Sequence, residues 1–153
     1  MLYFEKYNSP IGTITVSCDE KYLVGIQFGS ACAKENPNEI TNKTVLQLKE
    51  YFCGKRKSFD LPIFLDGTDY QVKVWKELMN IPYGKVCTYG FIAKRIGIPK
   101  GAQAVGGANK RNPLPIVIPY HRVVAHNGIG GYAPGLEIKK FLLRLEKNNS
   151  GSD

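Results

Sequence analysis

Residues 88–111 read TYGFIAKRIGIPKGAQAVGGANKR and set the architecture of the second half of the chain. Thr88 stands just before an apolar-periodic run, where its hydroxyl is suited to cap a short helix. Gly97 ends that helix, and Pro99 is the expected start of the next, KGAQAVGGANKR. Two short helices joined by GIPK have the outline of a helix-turn-helix. Such a unit lays its second helix against duplex DNA. Here that helix carries Gly101, Ala102, Ala104, Gly106, Gly107 and Ala108. Each glycine costs a helix about 1 kcal/mol relative to alanine. The adjacent pair Gly106-Gly107 therefore implies a closely approaching surface, either a packed neighbour or a DNA backbone.

The charge around this unit is one-sided. Residues 1–67 hold 8 Lys/Arg and 8 Asp/Glu, so the net charge of +8 belongs entirely to residues 68–153. No acidic residue lies between Glu77 and Glu137, an interval that holds Lys85, Lys94, Arg95, Lys100, Lys110, Arg111 and Arg122. This pattern fits a surface for a polyanion, or a solvated basic face.

Upstream, residues 2–28 read as a three-strand meander broken at SPIG and DEK. TNKTVLQLKEYFCG then places Val45, Leu48 and Phe52 at helical spacing and stops at Gly54. Nothing in this neutral half carries catalytic chemistry. Thr68 or Asp69 caps a further helix, with Val72, Trp75, Leu78 and Met79 facing inward. Downstream, NPLPIVIPYHRVV (112–124) reads as a stiff extended run, with His121 at its exposed end as a possible general base or as a packed, hydrogen-bonded histidine. A Gly-rich hairpin follows, then an amphipathic helix, LEIKKFLLRLEK, carrying Glu146. The expected fold is α+β. A strand-rich α/β domain spans residues 1–67, a helical, winged helix-turn-helix-like domain spans 68–147, and 148–153 form a disordered tail.

No apolar run approaches the ~18–20 residues of a membrane span. The N-terminus lacks the layout of a signal peptide, and a cytoplasmic location is expected. The scattered cysteines Cys18, Cys32, Cys53 and Cys87 form no C-x-x-C motif and are expected as free thiols. With His121 and His126 as the only histidines, no metal site and no cofactor is expected.

Residues 68–146 resemble the O6-alkylguanine-DNA alkyltransferases, which take an alkyl group from guanine O6 onto their own cysteine. The resemblance rests on GTDYQVKVWKEL, IPYGKVCTYGFIAKRIG, AQAVGGANKRNPLPIVIPYHRVV and GGYAPGLEIKKFLLRLE. It implies minor-groove binding to duplex DNA carrying O6-alkylguanine and extrusion of the base. By that resemblance the reactive cysteine falls on Tyr120, its histidine on His121, its glutamate on Glu146 and its hinge residue on Asn112. The tyrosine that turns a DNA phosphate falls on Tyr89, and the intercalating arginine on Gln103. Tyr120, Tyr89, Val123, Tyr132 and Ala133 would line the pocket, and Lys110, Arg111 and Arg122 would grip DNA.

Two departures bear on function. A thiol has an ordinary pKa of about 8.5 and a phenol about 10, so Tyr120 is a poor acceptor for an alkyl carbon. Gln103 keeps hydrogen bonding and loses the arginine's charge. The chain thus resembles the alkyltransferase-like proteins, which lack the cysteine and hand the lesion to excision repair. A monomer is expected, with excision-repair proteins downstream. Two other classes stay open at this point: an active-site variant of the methyltransferase, and a winged-helix DNA-binding regulator.

Overall fold

The computed structural model describes residues 1–30 and 34–150. Cys32 and residues 151–153 of the expected tail lie outside the described residues. The chain divides into two compact units, Met1–Asp66 and Gly67–Asp153. The first is small and strand-rich, the second helical, in the mixed α+β arrangement expected.

In the first unit, β1 (Tyr3–Ser9), β2 (Gly12–Cys18) and β3 (Leu23–Phe28) form an antiparallel meander. Tyr3 pairs with Cys18 and Ser9 with Gly12. In this register the two-residue alternation of β2 buries Ile14, Val16 and Cys18 against α1 (Glu39–Phe52), which contributes Val45, Leu48 and Phe52. The helix starts ahead of its apolar periodicity because Asn38 caps it. Asn38 Oδ1 accepts from Thr41 N at 2.9 Å, and Asn38 N donates to Thr41 Oγ1 at 2.9 Å.

The second unit opens with α2 (Asp69–Leu78), capped by Thr68. Val74, Trp75 and Leu78 are buried. Val72 is only half-buried and Met79 is exposed, contrary to the expected inward face, because Met79 is already the C-terminal cap. Trp75 Nε1 donates to Ala108 O at 3.0 Å and ties α2 to the helix that lies beside it. β4 (Cys87–Thr88) leads into α3 (Tyr89–Arg95), and α4 (Ala102–Lys110) follows. Thr88 caps α3, its hydroxyl accepting from Phe91 N at 3.0 Å. α4 begins at Ala102 rather than at Pro99: residues 99–100 are spent in a turn that Gly101 N closes on Ile98 O at 2.9 Å.

The run NPLPIVIPYHRVV is not extended. Asn112 Nδ2 donates to Ile118 O at 2.8 Å, while Asn112 Oδ1 accepts from Leu114 N at 2.8 Å. This one side chain folds residues 112–118 into a compact loop, with Ile116 at φ 75°. Tyr120–Arg122 form a short 3-10 turn, and only Val123–Val124 make a strand, β5, parallel to β4. The last helix, α5 (Leu136–Asn149), turns Lys139, Leu142 and Glu146 inward at spacings of three and four. It runs into the expected tail, because Asn149 Nδ2 bonds back to Leu145 O at 2.8 Å. Among the described residues no helix is long and apolar enough to cross a membrane.

Candidate functional site

A cavity of about 530 Å³ opens in the second unit. One wall is α4, presenting Ala102, Gln103, Gly106, Asn109 and Lys110; the start of α3 adds Thr88, Tyr89 and Gly90. Tyr120 from the 3-10 turn, with Ala125, His126, Gly131, Tyr132 and Ala133 from the loop before α5, completes it. Of the two readings of the glycine pair, the packed neighbour does not account for Gly107. A methyl group added at Gly106 would only touch the Tyr89 ring at 3.9 Å, and one at Gly107 would meet nothing within 4 Å. Gly130 is a different case. Its φ is +76°, and a side chain there would strike Ala125 N at 2.9 Å and the Tyr89 ring at 3.2 Å.

Tyr120 is 7% exposed, and its ring centroid lies 4.5 Å from that of Tyr132 at an interplanar angle of 37°. Burial pushes the Tyr120 phenol up to about 12, outweighing the hydrogen bond from Tyr132, which acts the other way. Tyr132 is pushed well above the ordinary phenol value, by burial first and by Tyr120 second. On the order of one Tyr120 in a hundred thousand is then phenolate at pH 7. Tyr89 sits at the rim, its hydroxyl 3.5 Å from Gly131 O.

Behind the cavity lies a sealed polar cluster. His121 is fully buried, not at an exposed end, because the 3-10 turn carries it inward. Its Nε2 lies 2.7 Å from Glu146 Oε2. Burial lowers the His121 pKa despite the Glu146 hydrogen bond, so the ring is neutral at pH 7 and donates Nε2–H to the carboxylate. Burial alone would raise Glu146. The hydrogen bond of His121, with the charge that its ring takes up only in acid, and then the hydrogen bond and charge of Arg122 outweigh it and hold the carboxyl well below the usual range.

Arg122 does not belong to the DNA-facing set predicted from the sequence. Its Nε donates to Glu146 Oε1 at 2.7 Å, NH2 to Oε2 at 3.0 Å, and NH1 to Ile81 O at 2.8 Å. A guanidinium that is buried and bonded through all three of its nitrogens in this way does not present itself to phosphate. Val123 is likewise fully buried in β5 and does not reach the cavity wall. Asn112 shapes the loop and is not in the wall either. Lys110 and Arg111 are exposed at the end of α4, and Lys110 reaches the cavity.

Three residues escaped the sequence reading. Asn109 lies in the wall, His126 at the exposed rim, and Lys139 beneath the loop. Lys139 Nζ donates to Val123 O at 2.7 Å and to Gly131 O at 2.9 Å, so it clamps the loop that carries Tyr132. Burial lowers its amine to about 8. The inward register of α5 at positions 139, 142 and 146 was the available signal for Lys139. Among the described residues, no group of three His, Cys, Asp or Glu could hold a metal ion.

Residues 2–65 match the family described as "6-O-methylguanine DNA methyltransferase, ribonuclease-like domain", and residues 69–148 match its "DNA binding domain". The chain belongs to the O6-methylguanine DNA methyltransferase family. It is similar to a methylated-DNA–protein-cysteine methyltransferase of Methanosarcina acetivorans, at 46% identity over 95% of this chain and 98% of the relative. The constitutive enzyme of the same name from Bacillus subtilis is 51% identical over 96% of each chain. The crystal structure of Mycobacterium tuberculosis OGT in complex with DNA has a TM-score of 0.89 at 38% identity, covering 96% of this chain and 94% of that one. The relatives from Methanosarcina acetivorans and Bacillus subtilis are named for a cysteine acceptor. Here Cys18 is buried in the first unit, and neither Cys53 nor Cys87 is in the cavity wall.

Proposed function

We propose that this chain is a sensor of O6-alkylguanine in duplex DNA that binds the extruded base without accepting its alkyl group. The observation that carries this reading is Tyr120: a phenol pushed up to about 12 occupies the cavity where the family resemblance puts the nucleophile. Displacement at the alkyl carbon requires an anionic acceptor, and this one stays protonated at any physiological pH. The Tyr120 and Tyr132 rings offer aromatic surface to a flipped purine instead.

DNA contact is assigned to α3 and α4, with Gln103 and Tyr89 managing extrusion and Lys110 and Arg111 meeting phosphates. The bare Gly107 surface and the acid-free charge map support this assignment. So does the relative from M. tuberculosis, which was crystallised with DNA. Excision-repair proteins would then receive the marked lesion.

One observation favours a second reading, that of a transferase scaffold lacking only its acceptor: the buried His121–Glu146 pair is intact at 2.7 Å. A single experiment sorts the two, using matched duplexes with and without O6-methylguanine, the chain and its Tyr120→Cys variant, and intact-mass analysis after binding. The sensor reading expects lesion preference with no mass gain on the natural chain. A stoichiometric methyl on Tyr120 defeats it. No preference for the lesion would leave an ordinary DNA-binding regulator.

A further inference from the structure

The cavity face of α4 changes character along its length. Gln103 stands exposed at the mouth, Gly106 leaves bare backbone in the middle, and Asn109 closes the inner end at 3% exposure. These residues recur every three positions and so share one side of the helix. The Asn109 backbone is engaged, its carbonyl accepting from Asn112 N at 3.2 Å. Its side chain is not: among the described residues neither Oδ1 nor Nδ2 has a hydrogen-bond partner, although both atoms are buried. A buried primary amide with its donor and acceptor both unmet is uncommon and calls for a partner. Several other polar side chains of this unit do have partners: Asn112 bonds Ile118 and Leu114, Lys139 bonds two carbonyls, and Arg122 and Glu146 bond each other, while the buried His121 Nδ1 is, like Asn109, without one among the described residues.

We infer that Asn109 is a specificity-determining residue that reads the hydrogen-bonding edge of the extruded base, an inference that rests on the lesion-binding function proposed above. The chemistry of alkylation makes this edge informative. Guanine presents two adjacent donors, N1–H and N2–H. Alkylation at O6 removes the N1 proton, so O6-alkylguanine presents an acceptor at N1 beside the N2–H donor. An asparagine amide is the complement of that second pattern: Nδ2–H donates to N1 and Oδ1 accepts from N2–H. Against unmodified guanine the Nδ2–H donor would face N1–H, leaving two buried donors opposed. The amide thus distinguishes the lesion by the protonation of its ring, whatever the size of the alkyl group.

The test is a binding cycle with the full-length chain. Duplexes carry guanine, O6-methylguanine, or O6-methylhypoxanthine, which lacks the 2-amino group. The natural chain is expected to lose about tenfold in affinity when the 2-amino group is deleted, the worth of one hydrogen bond. Asn109→Leu should show no such loss. Asn109→Asp replaces the donor with a second acceptor, which suits the two donors of guanine, so its preference for O6-methylguanine over guanine should fall by at least about tenfold. Lesion preference by the natural chain with no dependence on the 2-amino group overturns the role of Asn109 and leaves the sensor function standing; that arm needs no variant to fold. Equal dependence on the 2-amino group in the natural chain and folded Asn109→Leu also overturns it. If the natural chain does not prefer O6-methylguanine at all, both the function and this inference fall.

Discussion

His121 Nε2 and Glu146 Oε2 lie 2.7 Å apart with both side chains sealed from solvent. The neutral imidazole directs one proton at the carboxylate, which leaves Nδ1 as its remaining lone pair. That nitrogen has no protein partner among the described residues. On the transferase reading proposed above, such a pair would serve as a base with its orienting acid, next in sequence to a phenol that cannot use it. Placing a thiol at position 120 should restore a titratable acceptor with an ordinary pKa of about 8.5. Intact-mass analysis of Tyr120→Cys after incubation with O6-methylguanine DNA should show a gain of one methyl. Adding Glu146→Gln to that variant should slow the transfer at least about tenfold, because the ring loses its orienting anion. Equal rates in the two would show that the pair is structural only.

Acid should weaken the second unit in two stages. His121 has a folded pKa below the ordinary 6.5, so the unfolded chain binds its proton first and stability falls as pH drops below about 6.5. Glu146 has a folded pKa well below the ordinary 4.5, so the unfolded chain again binds protons first. Its contribution is complete above about 4.5 and is lost progressively as pH falls below that value. Urea denaturation between pH 7 and 3 should show a decline that steepens in the lower range. Glu146→Ala at pH 7 should cost about 3–5 kcal/mol, since Arg122 is left buried without its partner. A cost below about 1 kcal/mol would mean that water reaches the guanidinium.

Much of this arrangement could be read from residue types and spacing, and the failures share a cause. The meander, the Thr88 cap and the inward face of α5 follow from local periodicity and capping, which need only a few neighbouring residues. The misread segments depend on one side chain acting across a gap. Asn112 reaches six residues ahead to Ile118 and turns an expected extended run into a loop. Glu146 captures Arg122 from twenty-four residues away and removes it from the surface. Asn109 had no local mark at all, because it gains interest only from being buried in a cavity wall without partners. The position of Tyr120 followed from the family pattern, but the upward push on its phenol required the packed Tyr132 ring and the burial around it.

The Lys139 clamp should leave a signature at alkaline pH. Its amine is lowered to about 8 from an ordinary 10.5. Between those values the unfolded chain holds the proton and the folded chain does not, so this group adds stability as pH rises from about 8 to about 10.5. Tyrosines and cysteines titrate nearby, so the useful quantity is the stability of the natural chain minus that of Lys139→Met, measured by urea denaturation at each pH. That difference should grow across the window. The same variant should lose lesion preference at pH 7.5, since the carbonyls of Val123 and Gly131 would no longer be tied together. A flat difference would place the ammonium in contact with solvent.

Salt dependence tests the proposed interface directly. With Arg122 withdrawn into its ion pair, the exposed cations of α3, α4 and their flanking turns are Lys94, Arg95, Lys100, Lys110 and Arg111, and Arg95 is partly engaged with Glu77 at 3.4 Å. Four to five phosphate contacts would give a slope of about −4 for log K against log salt. Lys110→Ala should reduce that slope by about one unit on lesion and control duplexes alike. Gln103→Arg restores a charged fork at the mouth of the cavity, so it should steepen the slope by about one and tighten binding about fivefold to tenfold at low salt. The gain should shrink as salt is raised. If it were equally large at all salt concentrations, the arginine would be acting through its stem between base pairs and not through its charge.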